Sequence, residues 1–431
     1  MEVTRIAQDV QVWMATQGVV TGSDLTAVEA TVAPLMQQIG AKVVEVVLGG
    51  QKLGYTGSSR PCACGERQRF VSHRTKAVLT TMGVVQLERA YYHCPACGES
   101  SIPHDEQAGL DAGGLSVALA QRAAMLGVHV PFGLASQMLE HLTAQRVPDR
   151  TIERLVPRVG AVAVAQEAQH AEQMATWNAP PADLLPDTER PKTVYVAVDG
   201  AMVCQLEAWR EVKTAAVYWD DAAGRRHARY VTRGESAESF KALVWSVACR
   251  CGVETAERVV VLGDGAKWIW DHVARVFDEQ AIHIVDGYHA AEHLWACGRA
   301  RYEEGSAELN GWVEPLQELL WNGAVRAVLE RWNAQRAASR SPPHREAIEA
   351  LITYLSNQDD RLAYDRFRAR GLDIGSGMVE AACKHVVGVR MKRNGRRWSE
   401  VGAQATLSLR VLHLNDQWEV FWAQKPLRKA A

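Results

Sequence analysis

Three times along the chain a run rich in Val, Ile and Tyr ends in Asp-Gly: TVYVAVDG at Asp199, RVVVLGDG at Asp264 and AIHIVDG at Asp286. One Asp-Gly has an ordinary explanation, since the pair suits a tight hairpin turn. Asp264 and Asp286, however, lead directly into helical sequence, so they mark strand-to-helix junctions. In open α/β sheets ligands gather at the carboxyl ends of strands, where such aspartates converge. A later acid, Glu380, follows Gly375-Ser376-Gly377, a segment whose missing side chains leave room for close approach of a phosphate or of a sheet. Carboxylates are the protein ligands that a hard cation such as Mg²⁺ takes, and Mg²⁺ keeps further positions for water and substrate phosphates. Two such ions about 4 Å apart clamp the attacking and leaving oxygens of an in-line displacement.

The elements that must position these acids follow in order. After the strand ending at Asp199, EVKTAAVYW and HARYVTRG read as two further strands joined through an AAG turn. SAESFKALVWSVACR then opens with Ser236 at a plausible helix N-cap. The Asp264 strand, the helical AKWIWDHVARVF and the Asp286 strand complete a β-β-β-α-β-α-β succession, that of an RNase-H-like fold. In that fold the first and fourth strands are neighbours, so Asp199 and Asp264 share one metal site. The third carboxylate comes from a later helix packed across the sheet, and Glu380 suits that place. No serine or tyrosine nucleophile stands out, and none is needed for metal-assisted phosphoryl chemistry.

A second set of candidate ligands lies near the N-terminus. Of the nine cysteines, Cys62 and Cys64 form one close pair and Cys94 and Cys97 another, with a two-run β-hairpin turning at Gly83 between them. Four thiolates on two turns make a zinc ribbon that closes tetrahedrally. The single-residue spacer of the first pair departs from the usual two, which leaves His73 and His93 as candidates to replace one thiolate. The expected zinc is structural, orienting a DNA-reading surface.

The organisation expected is an N-terminal helical segment (1–54), a zinc-ribbon-like hairpin (55–110) and a helical domain resembling helix-turn-helix (111–177). Within that domain QMLEHLTAQRVPDRTIERLVPRV breaks at Val147-Pro148-Asp149. A proline-rich linker (178–192) leads to the first part of the RNase-H-like α/β domain (193–289), an all-helical insertion (290–371) and the second part with the glutamate helix (372–431). A net charge of −2 does not announce a nucleic-acid binder, but a local run does: Lys384, Arg390, Lys392, Arg393, Arg396 and Arg397 follow Glu380 with no acid among them. Placed beside a scissile phosphate, such a run supplies affinity without sequence information. Lys384 also stands four residues after Glu380, the spacing of a plain ion pair. No stretch approaches the roughly 20 uninterrupted apolar residues of a membrane helix, and the start lacks a signal-peptide core. A cytoplasmic protein is expected.

The segments VAVDG, LGDGAKWIW, VDGYH and GSGMVEAACKHVVGVRMKRNGRRW resemble the D-D-E signature of bacterial insertion-sequence transposases. The resemblance is closest to the Kra-type group, related to the mutator-like branch, and covers nearly the whole chain. It implies a transposase that uses Mg²⁺ or Mn²⁺ on Asp199, Asp264 and Glu380 to cut transposon ends and join them to target DNA. It further implies a supporting or DNA-handling role for Asp286 and His289, although Asp286 also ends a strand and competes for the metal site. The expected partners are double-stranded DNA and a second copy of the chain, since two ends must be brought together. Two other readings stay open: a transposase-derived DNA-binding protein without catalysis, and an RNase-H-like nuclease without strand transfer.

Overall fold

The structure is a computed structural model that describes residues 2–16, 24–49, 51, 53–110, 113–176, 191–277, 281–339, 341–392 and 395–427. The expected linker, apart from residues 191 and 192, and Arg393 lie outside the described residues. The chain divides into two compact units, residues 1–155 with 422–431, and residues 156–421.

The first unit opens with helices α1 (Glu2–Thr16) and α2 (Leu25–Gly49). Strands β1 (Ser59–Pro61), β2 (Arg67–Thr80), β3 (Gly83–His93) and β4 (Ser100–Ser101) form an antiparallel sheet in chain order. The long hairpin turns at Gly83, as the sequence predicts, with φ of 122°, a conformation that glycine adopts freely. Helix α2 lies on β3. Its Ala41 joins Leu53, Val78, Val85 and Leu87 in a small core, and Glu45 accepts a hydrogen bond from the Gln86 amide at 2.8 Å. By length and composition α2 could cross a membrane, although Glu29, Pro34, Lys42 and Glu45 interrupt it.

Short helix α3 (Pro103–Ala108) follows, then α4 (Val117–His129), α5 (Phe132–Thr143) and α6 (Asp149–Thr176). The predicted break lies between α5 and α6: Ala144 takes a left-handed conformation (φ 53°), and the Ser136 hydroxyl holds the loop by donating to the Val147 carbonyl at 2.6 Å. The boundary between units falls inside α6 and not at the proline-rich segment. Side chains from the later turns of α6, among them Ala171 and Met174, bury in the core of the second unit, which is why those turns belong to it. The last described residues, 422–427, are grouped with the first unit and not with the α/β domain.

The second unit is mixed α/β. Strands β5 (Thr193–Cys204), β6 (Trp209–Asp220) and β7 (Arg226–Arg233) precede α7 (Ala237–Arg250), whose N-cap Ser236 accepts from the Ser239 amide at 3.2 Å. Strands β8 (Arg258–Gly263) and β9 (Ile282–Val285) complete a sheet of order β7-β6-β5-β8-β9. The β5–β8 and β8–β9 pairs are parallel and the others antiparallel. The helix expected after Asp264 is present but irregular, running through a π-type turn at Ile269–Val273 into a 3₁₀ turn at Ala274–Val276.

Helices α8 (Gly287–Arg299), α9 (Ala307–Trp321), α10 (Val325–Ala338), α11 (Pro342–Ser356) and α12 (Tyr364–Ala369) make up the insertion. It shares one core with the sheet, running from Val196 and Val261 to Leu355 and Trp332. Trp332 is fully buried with Trp312 edge-on at 4.8 Å, a packing role whose loss on truncation costs about 3–5 kcal/mol. The chain returns through α13 (Gly377–Ala382), a π-type turn at Cys383–Gly388, α14 (Val389–Met391), α15 (Glu400–Leu414) and α16 (Trp418–Ala423).

Candidate active site

The parallel ladder of β5 and β8 ends with Val198 opposite Gly263. Asp199 and Asp264 therefore follow at the same level on neighbouring strands, which lie about 4.8 Å apart. Asp199-Gly200 is not the end of its strand, as the sequence suggested, because β5 continues against β6 to Cys204. It is the end of the parallel pairing. A Cβ at Gly200 would meet a Glu211 carboxylate oxygen at 2.4 Å, a contact that the flexible Glu211 side chain can move to relieve.

Asp199 is half-buried, and its Oδ1 accepts from the Gly200 amide at 2.6 Å. Burial raises its carboxyl above the ordinary value, and the charge of Asp264 raises it further. The Gly200 amide, the Cys383 thiol and His289 pull the other way without cancelling the rise. Cys383 itself is pushed up to about 12 by burial and by Asp199.

Asp264 is fixed from the insertion. Its Oδ1 accepts from the Ala266 amide at 2.8 Å, its carbonyl from the Tyr354 hydroxyl at 2.9 Å, and the Gly265 carbonyl from Gln358 Nε2 at 2.9 Å. Gly265 has φ of 97°, and a Cβ would meet the Tyr354 ring at 2.8 Å. His293 stacks on Tyr354 with ring centres 3.9 Å apart, and His289 stands edge-on to His293 at 4.9 Å. Burial pulls His293 below the usual imidazole value, with His289 adding to that and Glu292 and Asp264 opposing. His293, Tyr354 and Cys383 had escaped the sequence reading. The His289-to-His293 spacing of one helical turn was a usable signal for the first, whereas the other two come from segments remote in sequence.

Asp286 is 1 % exposed and has both oxygens engaged. Oδ1 accepts from the amides of Tyr288 (2.7 Å) and His289 (2.9 Å), and Oδ2 from the Ser376 amide (2.6 Å) and the Ser376 hydroxyl. Four donors fill the roughly four acceptor positions of a carboxylate. Asp286 caps α8 and ties it to the loop that begins α13. The Gly287 amide adds a bond to the Ile374 carbonyl at 2.8 Å, and a Cβ on Gly375 would strike the Tyr288 ring at 2.7 Å. The close approach that Gly375 permits is thus to the start of α8.

Helix α13 packs against β5 and β6, and Cys383, one turn after Glu380, reaches Asp199. Glu380 is exposed, and its carboxylate lies 3.7 Å from Lys384 Nζ, the i,i+4 ion pair that the spacing allows. Among the described residues the three acids do not form a group with all ligand atoms within 4.8 Å of one another; the four paired cysteines do. His73 packs on the rings of Tyr55 and Phe70, and His93 bonds Ser100 Oγ at 3.0 Å, so neither histidine is part of that group.

In the basic run Lys384, Lys392 and Arg397 are exposed and Arg396 is half-buried. Arg390 differs from the expectation. It is 1 % exposed, with its guanidinium 4.5 Å from the centre of the Trp398 ring, and so has no surface to offer a phosphate.

What these features define is a mixed α/β protein with two acids side by side at the end of a parallel ladder and a separate cysteine quartet. Residues 21–425 match the uncharacterised protein family UPF0236, and the chain belongs to that family. It is similar to the "UPF0236 protein in vanSb 3'region" of Streptococcus gallolyticus, with 21% identity over 351 residues, 75% of this chain and 70% of the relative.

Proposed function

We propose that this protein is a DNA transposase of the D-D-E type, of the Kra-type group, whose second unit is an RNase-H-like catalytic domain. The observation that carries the reading is the strand register. A β7-β6-β5-β8-β9 sheet with β5 parallel to β8 is the order expected of that fold, and it sets Asp199 beside Asp264. The residues suit a divalent cation: Asp199 holds its proton unusually well because it is half-buried next to another acid, and a cation between the two relieves that strain. Glu380 would be the third ligand, exposed beside Lys384 on a helix that packs against β5. When bound, Mg²⁺ or Mn²⁺ would supply the polarised water and charge neutralisation that phosphodiester cleavage requires.

The protein's own part is to place DNA. Lys384, Lys392 and Arg397 present exposed cations after Glu380 for the phosphates flanking the scissile bond. Tyr354 and Gln358 hold the Asp264-Gly265 turn rigid, and Asp286 holds the glutamate helix to α8. Transposon ends and target DNA are the substrates, and two copies of the chain bring two ends together.

The test uses the full chain with duplexes taken from the DNA flanking its gene, with Mg²⁺ or Mn²⁺ present. Cleavage and joining of 3′-OH ends are followed on gels. Asp199→Ala, Asp264→Ala and Glu380→Ala should each lower both reactions about a thousandfold while DNA binding persists. Cleavage retained in any one of the three overturns its assignment. Cleavage without joining would make the protein a nuclease, and binding without either a DNA-binding protein.

A further inference from the structure

We propose that Cys62, Cys64, Cys94 and Cys97 bind one zinc ion as a closed, all-thiolate structural site. It stands on the first unit alone and is independent of the function proposed for the second. All four sulfurs lie within 4.8 Å of one another, with Cys62 to Cys97 at 3.6 Å and Cys64 to Cys94 at 3.7 Å. Zinc–sulfur bonds of about 2.3 Å at tetrahedral angles require sulfurs about 3.8 Å apart, close to these separations. Disulfides require about 2.05 Å, and a mutual cluster of four singles out no pair.

The backbone resolves the odd spacing of the first pair. Each pair lies on a turn that closes back on its first cysteine: Gly65 N–H donates to the Cys62 carbonyl at 3.1 Å, and Gly98 N–H to the Cys94 carbonyl at 2.9 Å. The first turn is one residue shorter than the second, matching its one-residue spacer. Both glycines have positive φ, 91° and 77°, which turns the chain tightly enough to aim both sulfurs inward. Beyond the turns, Cys62 N–H donates to the Glu66 carbonyl and Cys94 N–H to the Glu99 carbonyl, each at 2.8 Å, so the two turns repeat one pattern.

Four thiolates on one Zn²⁺ carry a net charge of −2, and the surroundings supply donors for it. The amide of Cys64 points at the Cys62 sulfur, those of Ala96 and Cys97 at the Cys94 sulfur, and that of Glu99 at the Cys97 sulfur. The buried Gln68 amide faces the Cys62 sulfur at 3.9 Å and is held in place by the Ser101 hydroxyl, which donates to its other end at 2.5 Å. Such outer contacts orient ligands and stabilise their charge. The Glu99 carboxylate, 3.6 Å from the Cys62 sulfur, is an opposing group, carried on an exposed side chain. With four protein ligands the ion has no open position, so its role is to staple the β1–β2 turn to the β3–β4 turn. Strands of three and two residues cannot do this unaided.

The test is metal analysis of the full chain purified under reducing conditions. About one zinc per chain is expected, falling below about a tenth in Cys94→Ser and in Cys97→Ser. Because a serine variant can fail to fold, the wild-type chain is also exchanged into Co²⁺, where intense absorption of a tetrahedral cobalt–thiolate centre is expected. Wild-type chain without zinc and without that absorption overturns the assignment. So do iron in place of zinc, a Cys62–Cys97 or Cys64–Cys94 disulfide in the non-reducing mass spectrum, or full zinc in the serine variants.

Discussion

Asp199, inside β5, and Asp286, just after β9, share the same Asp-Gly signature, yet their surroundings separate their roles. Asp286 meets four donors and has nothing left for a ligand, whereas Asp199 is half-buried beside a second acid. A carboxyl raised in the folded state binds its proton more tightly there than in the unfolded chain. Its contribution to stability is therefore present at low pH and is lost as pH rises through the folded value. A cation that binds only the ionised form restores it. Two consequences follow at this site. Mg²⁺ or Mn²⁺ affinity should climb with pH through a midpoint above the ordinary value of an aspartate. Asp264→Asn, by removing the neighbouring charge, should lower the Asp199 midpoint, read directly from its carboxyl ¹³C shift. A midpoint for Asp199 at or below the ordinary aspartate value in the wild-type chain would show that burial and Asp264 do not act as described.

Between elements, the decisive link is Asp286 with Ser376, which joins the start of α8 to the loop before α13. Replacing Asp286 with Ala leaves the amides of Tyr288, His289 and Ser376 without their acceptor in a buried place. A loss of about 3 kcal/mol is expected, measured by urea unfolding. Tyr354→Phe should cost only about 1 kcal/mol, since it removes one bond to the Asp264 carbonyl. If Asp286→Ala keeps wild-type stability but loses metal binding, Asp286 is a ligand and the structural role is wrong. Most elements could be read in the sequence, because β-branched runs, the Ser236 cap and helical periodicity are local signals. The neighbourhood of β5 and β8 followed from strand order alone. What could not be read is whatever depends on contacts from afar: Tyr354 reaching Asp264 from 90 residues away, or Gly375 yielding to Tyr288. Arg390 was misplaced for a different reason. The π-type turn at Cys383–Gly388 takes more residues per turn than an α-helix, so it rotates later residues off the face that a 3.6-residue period assigns them.

At the scale of the molecule, 48 basic and 50 acidic residues nearly cancel, so net charge alone does not draw a polyanion to the chain. The DNA binding proposed above must then rest on a few local contacts, and salt dependence counts them. Each phosphate neutralised contributes about −0.9 to the slope of log affinity against log salt on duplex DNA. Lys384→Gln, Lys392→Gln and Arg397→Gln should each make the measured slope shallower by about 1, with little effect on stability because all three side chains are exposed. Arg390→Gln should do the reverse. It leaves the slope unchanged, because a side chain 1 % exposed touches no phosphate, and it destabilises the fold by removing a cation from the face of Trp398. A shallower slope in Arg390→Gln with unaltered unfolding would mean that the segment after Glu380 turns outward on DNA, returning Arg390 to the surface that the sequence first suggested for it.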